Sequence, residues 1–182
     1  MKYSEVAEAV DETLRRSKVS VEVSGDTMLN GPIQGGLFSD LRTKSATEMG
    51  KFDFSVHPIG GIVPVMEQHR YREYAKIMLS TLPFLPSNRP VHMFGCGHPM
   101  LFPMSIALGA DLFDSAAYAL FARDGRILTP WGTEKLEHMV EWPIIMPCIS
   151  QYSPEDVRKM DKSDRMKLLS KYNLEITLAE LS

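Results

Sequence analysis

Residues 91–118, VHMFGCGHPMLFPMSIALGADLFDSAAY, decide the fold. Two short apolar runs, VHMF and DLF, flank a glycine-rich bend and a helix-like stretch from Pro99 to Leu108. The pattern predicts strand, loop, helix, strand. In a β/α architecture parallel strands point their C-terminal ends at one face, where the chemistry-bearing residues usually stand. Asp114 lies at such an end. Strand side chains alternate, so Leu112 and Asp114 share one side while Asp111 and Phe113 share the other. The two carboxylates therefore do not form a dyad. Asp114 fits two roles, an anion presented at the strand end or an N-cap for a helix beginning at Ser115. Asp111, ahead of the apolar pair, reads as a strand-entry or supporting group.

The scheme repeats upstream. GPIQGG, Gly31 to Gly36, reads as a short strand ending in Gln34, followed by a helix from Ser39 to Met49. Paired glycines let a backbone approach a ligand, and an amide both donates to and accepts from a heterocycle edge, although the same residues also make ordinary turns. FDFSVHPIGGI, Phe52 to Ile62, predicts a strand, then Gly60 and Gly61, then a helix from about Met66 to Leu82 whose Arg70, Arg72 and Lys76 mark a solvated face. His57, His92 and His98 fall at strand ends or loops with no metal spacing between them, and each reads as structural.

Toward the N-terminus, Val6, Ala9, Val10 and Leu14 recur at helical spacing over residues 3–17, and Val19, Val21 and Val23 then alternate as a short strand or arm. Downstream, Asp124-Gly125 marks a turn before the strand RILT. Ser153, Pro154, Glu155 and Asp156 make a strong helix start, and the basic sequence that follows can present Lys159, Lys162, Arg165, Lys167 and Lys171 either to phosphates or simply to water.

The 182 residues, 44% hydrophobic, can bury a core, and a net charge of -3 advertises no global basic field. Two cysteines make a disulfide framework unexpected and fit a reducing interior. The first residues, MKYSEVAEAVDE, are acidic and amphipathic rather than a signal peptide, and no apolar run approaches the ~20 residues of a membrane span. A cytoplasmic protein without membrane partners is expected. Four strand signals, GPIQ, FDFSVH, VHMF and DLF, each followed by helix-like sequence, make an α/β chain with half of a TIM-type β/α barrel over residues 1–150 and a C-terminal helical extension over 151–182. A half-barrel has open edges, so a partner or a second copy is expected to complete it.

GPIQGGLFSDLR, HPIGGIVPVME with the YREY helix, VHMFGCGHPM, ALGADLFDSAAYALFARDGRILTPWGT and SPEDVRKM with LLSKYNL together resemble the C-terminal half of archaeal tRNA-guanine transglycosylases, the enzymes of archaeosine synthesis. The resemblance runs from about residue 1 to 175. It implies a (β/α)8 barrel that exchanges a guanine in tRNA for a 7-deazaguanine base, with Asp114 as the nucleophile that forms a covalent bond to ribose. It further implies that Gln34 hydrogen-bonds the base edge, that Gly60 and Gly61 read the base through their backbone, and that Phe94 and Gly95 floor the base pocket. The family's zinc ligands fall on Ile144, Met146, Ile149 and Tyr172, with Cys148 one position off, so no metal is expected and no other cofactor is implied. The family's first-half aspartate motif has no counterpart in these residues. Three readings follow: a subunit or fragment of a tRNA-guanine transglycosylase, inactive alone, acting with carboxylates of another polypeptide; a non-catalytic paralogue of archaeosine synthase type that binds tRNA or a partner; and a homodimeric half-barrel that binds a purine-like molecule.

Overall fold

The computed structural model describes residues 2–182, which divide into two compact units. One takes the residues up to Cys96 together with Ser105–Asp114; the other takes Gly97–Met104 with Ser115–Ser182. The boundary read from sequence at residue 150 runs through the second of these.

The first unit opens with helix α1, Tyr3–Val23, which lays Val6 and Val10 against Leu41 of helix α2, Ser39–Met49. The arm expected at Val19, Val21 and Val23 is therefore the last turns of α1. The alternation finds no neighbouring strand, Val19 and Val23 stay exposed, and the helix satisfies their backbone locally.

Four parallel segments then line up side by side. The stretch 30–33 bridges to 56–59 at Asn30–Val56 and Ile33–Ile59, with Ile33 N–H donating to Pro58 O at 2.8 Å and Gly60 N–H to Ile33 O at 3.0 Å. Strand β1, His57–Ile59, pairs in parallel with β2, Val91–Met93, which pairs with β3, Leu112–Phe113. The strand expected from Phe52 begins only at His57, because residues 52–54 turn, with Phe54 N–H bonding Phe52 O. Asp111 acts as the sequence suggested: its Oδ2 accepts the Val91 N–H at 2.8 Å and fixes the entry to β2.

The helix predicted from Met66 to Leu82 is two helices, α3 at Val63–Glu67 and α4 at Tyr71–Leu79. His69 breaks them apart at φ 55°, a conformation uncommon for a residue with a Cβ. Helix α4 buries Tyr74, Ile77 and Met78, and the Tyr74 hydroxyl shares a 2.6 Å hydrogen bond with Ser105, near the end of helix α5, Phe102–Ala107.

The second unit wraps helix α6, Ala117–Arg123, and the antiparallel hairpin of β4, Arg126–Thr129, and β5, Gly132–Lys135, around helix α8, Lys162–Ala179. Asn173 on α8 is fully buried and keys the unit. Its Oδ1 accepts Leu128 N–H at 2.7 Å, and its Nδ2 donates to Tyr118 O at 3.0 Å and Arg126 O at 3.2 Å. Such a satisfied polar group fixes the register of hairpin on helix. The predicted start at Ser153 is present as a capping box on helix α7, Pro154–Lys159, but α8 begins anew where the Asp161 carboxylate accepts Ser163 and Asp164 N–H at 2.8 and 3.2 Å. No helix among the described residues is long and apolar enough to cross a membrane.

Candidate active site

The four parallel segments end in Gln34, Gly60, Phe94 and Asp114, so the sequence-predicted residues gather along the C-terminal edge of one sheet. Register decides which of them meet. His92 lies opposite Leu112, and with side chains alternating, His92, Phe94, Leu112 and Asp114 project from the same side. Val91 and Met93, on the other side, are buried in the core, whereas Phe94 is 56% exposed and Leu112 44%. One face of the sheet is packed; the other is open at its end.

Asp114 does not cap a helix. Helix α6 starts only at Ala117, and its neighbour Ser115 supplies the side-chain oxygen that bonds the Ala117 N–H. The carboxylate instead turns back over β2, where Oδ1 accepts His92 Nε2–H at 2.8 Å and Gly95 N–H at 2.9 Å. Both bonds fall on one oxygen, and the side chain remains 51% exposed. That is a carboxylate held in place yet open to a reactant. Gly95 makes the second bond possible because its φ of +80° turns the N–H toward Asp114, and a Cβ there would meet Val63 at 2.7 Å. Phe94 stands edge-on to His92 with ring centroids 5.7 Å apart.

The other end of the edge is built around Gln34. Its amide lies against Gly60, where an added Cβ would sit 2.7 Å from Nε2 and 3.0 Å from Oε1. Its backbone N–H donates to Ser45 Oγ at 3.1 Å. Behind it lies Arg42, fully buried on α2, whose guanidinium donates to Ile33 O at 3.2 Å and Gly36 O at 2.9 Å, the carbonyls that bracket Gln34. Burial lowers its pKa to about 10, which still leaves it charged at neutral pH.

Two residues of this site were not foreseen. His92 read as structural, and the signal that finds it is register: a residue opposite Leu112 shares the side of Asp114. Arg42 had a signal in helical spacing, since Leu41, Arg42, Ser45, Ala46 and Met49 are the buried face of α2. The cysteine in the same region is held as a thiol, because burial pushes the Cys96 thiol up to about 11.

Among the described residues no group of three or more His, Cys, Asp or Glu side chains is arranged to hold a metal ion. At the positions where the resemblance places zinc ligands, Ile149 and Tyr172 lie in the apolar core of the second unit with Ile144 and Met146 packed on it. The Tyr172 hydroxyl donates to Ile144 O at 3.0 Å, and its ring lies 5.6 Å from that of Trp142. Burial and Glu175 push the Cys148 thiol up to about 12, far from a thiolate. This donor set does not fit zinc.

Fold and site together define an α/β protein whose parallel strands deliver a held carboxylate and an amide to one edge. The chain belongs to the queuine tRNA-ribosyltransferase family, whose sequence pattern matches residues 1–182. It is 46% identical over 180 residues to the tRNA-guanine(15) transglycosylase of Methanocaldococcus jannaschii, covering 95% of this chain and 28% of that protein. The enzyme of the same name from Methanococcus aeolicus is 47% identical over 182 residues, 96% of this chain and 28% of the relative. That of Thermococcus onnurineus is 44% identical over 170 residues, 93% and 29%. The chain thus spans less than a third of the length of the curated relatives it matches.

Proposed function

We propose that this chain is the part of a tRNA-guanine transglycosylase that carries the nucleophile and one wall of the base pocket. The observation that supports this best is Asp114 at the end of β3, gripped through Oδ1 by His92 and Gly95 and open to solvent. An oxocarbenium-like ribose is well met by such an anion, fixed before the reaction starts.

Oδ2, the oxygen outside that grip, attacks C1′ of the ribose. The C1′–N9 bond breaks, its electron pair leaves with guanine, and an ester joins Asp114 to tRNA. N9 of the incoming 7-deazaguanine then attacks C1′ and releases the carboxylate, the proton it gives up balancing the one guanine gained. In this reading the Gln34 amide bonds the base edge, the backbone of Gly60 and Gly61 borders it, and Phe94 and Gly95 form the pocket floor. The substrate is tRNA, as the names of the relatives say of them.

The open sheet edge and the exposed apolar face support a half-barrel completed by further strands, which also bring the groups for proton transfer. A second polypeptide segment, or a second copy, fills that place. The C-terminal unit works without metal, with the packing of Trp142, Ile144 and Tyr172 standing where the ion would brace the fold.

The test is exchange of labelled guanine into tRNA by this chain, alone and joined to a segment supplying the rest of the barrel. Exchange by the completed protein, lost in Asp114→Asn, is expected. A completed protein that binds tRNA but neither exchanges nor traps a covalent RNA adduct would sink the reading.

A further inference from the structure

The basic run at the C-terminus resolves, in the structure, into matched and unmatched charges. Lys159 pairs with Glu155 at 2.7 Å, Lys167 with Asp164 at 3.4 Å and Lys171 with Glu175 at 4.0 Å. Lys162 and Arg165 have no carboxylate partner among the described residues. Both line a cavity of about 510 Å³ in the second unit, together with Arg123, Lys135 and Arg158.

The two carboxylates of that cavity are already engaged. Asp124 meets Arg126 at 3.3 Å and Arg123 at 3.9 Å, and Glu137 meets Lys135 and His138, each at 3.2 Å. Arg158 is held by backbone alone, its Nη1 donating to Leu136 O at 2.9 Å and Met139 O at 2.8 Å, and Arg165 Nη1 donates to Arg158 O at 3.2 Å. Arg158 helps to hold the Glu155 carboxylate below its ordinary range, but Glu155 is paired with Lys159, so three cations converge on one concavity with no ion-pair partner of their own among the described residues. Two are oriented by carbonyls, so little of their side-chain freedom is left to lose on binding.

We infer that this cleft binds the phosphodiester backbone of RNA, with Lys162 and Arg165 as the contacting side chains and Arg158 as their support. Neutral ligands gain nothing from three unmatched charges, and a phosphate is the anion that the guanidinium fork and the ammonium both suit. The inference rests on the tRNA reading above for the identity of the RNA, but the cleft contains none of the residues proposed for base exchange.

The experiment measures binding of a tRNA transcript over a salt series to the parent chain, Lys162→Glu, Arg165→Gln and the control Lys167→Gln, with thermal unfolding confirming that each variant is folded. Lys162→Glu is expected to weaken binding about tenfold, with a salt dependence of log K shallower by about one counterion, while Lys167→Gln behaves as the parent. Arg165→Gln should act likewise and Arg165→Lys restore most of the loss. Variants that bind tRNA with the parental affinity and slope overturn the cleft and leave the tRNA reading intact. A parent chain that binds no tRNA at any salt instead defeats the tRNA reading for this chain. Amide shifts on titration with a short oligoribonucleotide then decide the cleft: shifts clustered at Gly125 and Lys162 support it, while none there, or the same shifts with inorganic phosphate alone, overturn it.

Discussion

His92 and Asp114, 22 residues apart in sequence, are joined by a 2.8 Å hydrogen bond from Nε2–H to Oδ1 that exists only because β2 and β3 pair in one particular register. The histidine is half-buried and the carboxylate half-exposed, so the bond anchors the carboxylate from the protein side.

Removing the charge and removing its anchor should therefore differ. In the completed protein, Asp114→Asn is expected to lower the exchange rate by about 10³–10⁴ and abolish the covalent RNA adduct. His92→Phe keeps the ring but not the donor, and a loss of roughly 10- to 100-fold in kcat with KM for the base nearly unchanged is expected, since Gly95 still holds Oδ1. Steady-state kinetics separates the two.

Gly60 and Gly61 are neighbours with opposite sensitivities. The backbone of Gly60 lies outside the left-handed region, and its added Cβ meets only the mobile end of Gln34, so Gly60→Ala should cost about 1 kcal/mol or less in stability while displacing the amide and weakening base binding at least tenfold. Gly61 sits at φ +70°, and Gly61→Ala should cost about 1–2 kcal/mol whatever the ligand. Denaturant melts beside base titrations read both effects.

Arg42 trades desolvation against two bonds to buried carbonyls. Arg42→Met relieves the first but strips Gly36 O of its donor and leaves Ile33 O with the Gly60 N–H alone, for an expected net loss of about 1–3 kcal/mol. The loop bearing Gln34 should loosen at the same time, which amide hydrogen exchange at residues 34–36 would register.

Burial lowers the pKa of His57 from 6.5, opposed by its contact with Gly31 O at 3.3 Å, and its Nε2 has no hydrogen-bond partner among the described residues. The unfolded chain therefore binds this proton more readily than the folded one. The stability this neutral imidazole contributes is complete above pH 6.5 and is lost as pH falls from there through the depressed value. The carboxylate Glu12, drawn down to about 2 by Arg15 and Arg16, responds only below about pH 4.5 and does not confuse the window. Urea midpoints for the parent should fall between pH 7 and pH 5, and His57→Leu should flatten that slope.

If apolar packing does the work of the family's zinc, a chelator should leave the unfolding temperature of the chain unchanged. Tyr172→Ala, which empties a buried site beside Trp142, should cost about 3–5 kcal/mol.

Much of this was legible in the residues. Alternation at the end of DLF set Asp114 and Leu112 on one side and excluded Asp111 as its mate, and the Ser153 start was read from capping chemistry alone, because both depend on neighbours within four positions. The failures share the opposite character. Val19 to Val23 alternate as a strand does, yet with no strand beside them they finish a helix. His69 breaks a helix through a backbone turn that no proline or glycine announces. Asp161 restarts the C-terminal helix inside the run that follows the Ser153 start.

Local sequence thus determined the strand-end carboxylate, the glycine pairs and the membership of the four parallel segments, since period and turn chemistry act over a few residues. Tertiary structure alone decided that His92 grips Asp114, that Arg42 lies beneath Gln34, and which lysines of the C-terminal helix remain without a counter-charge. Those three facts depend on register and on partners 8 to 22 positions away or on other elements, and the strength of a hydrogen bond or ion pair is settled by distance in space.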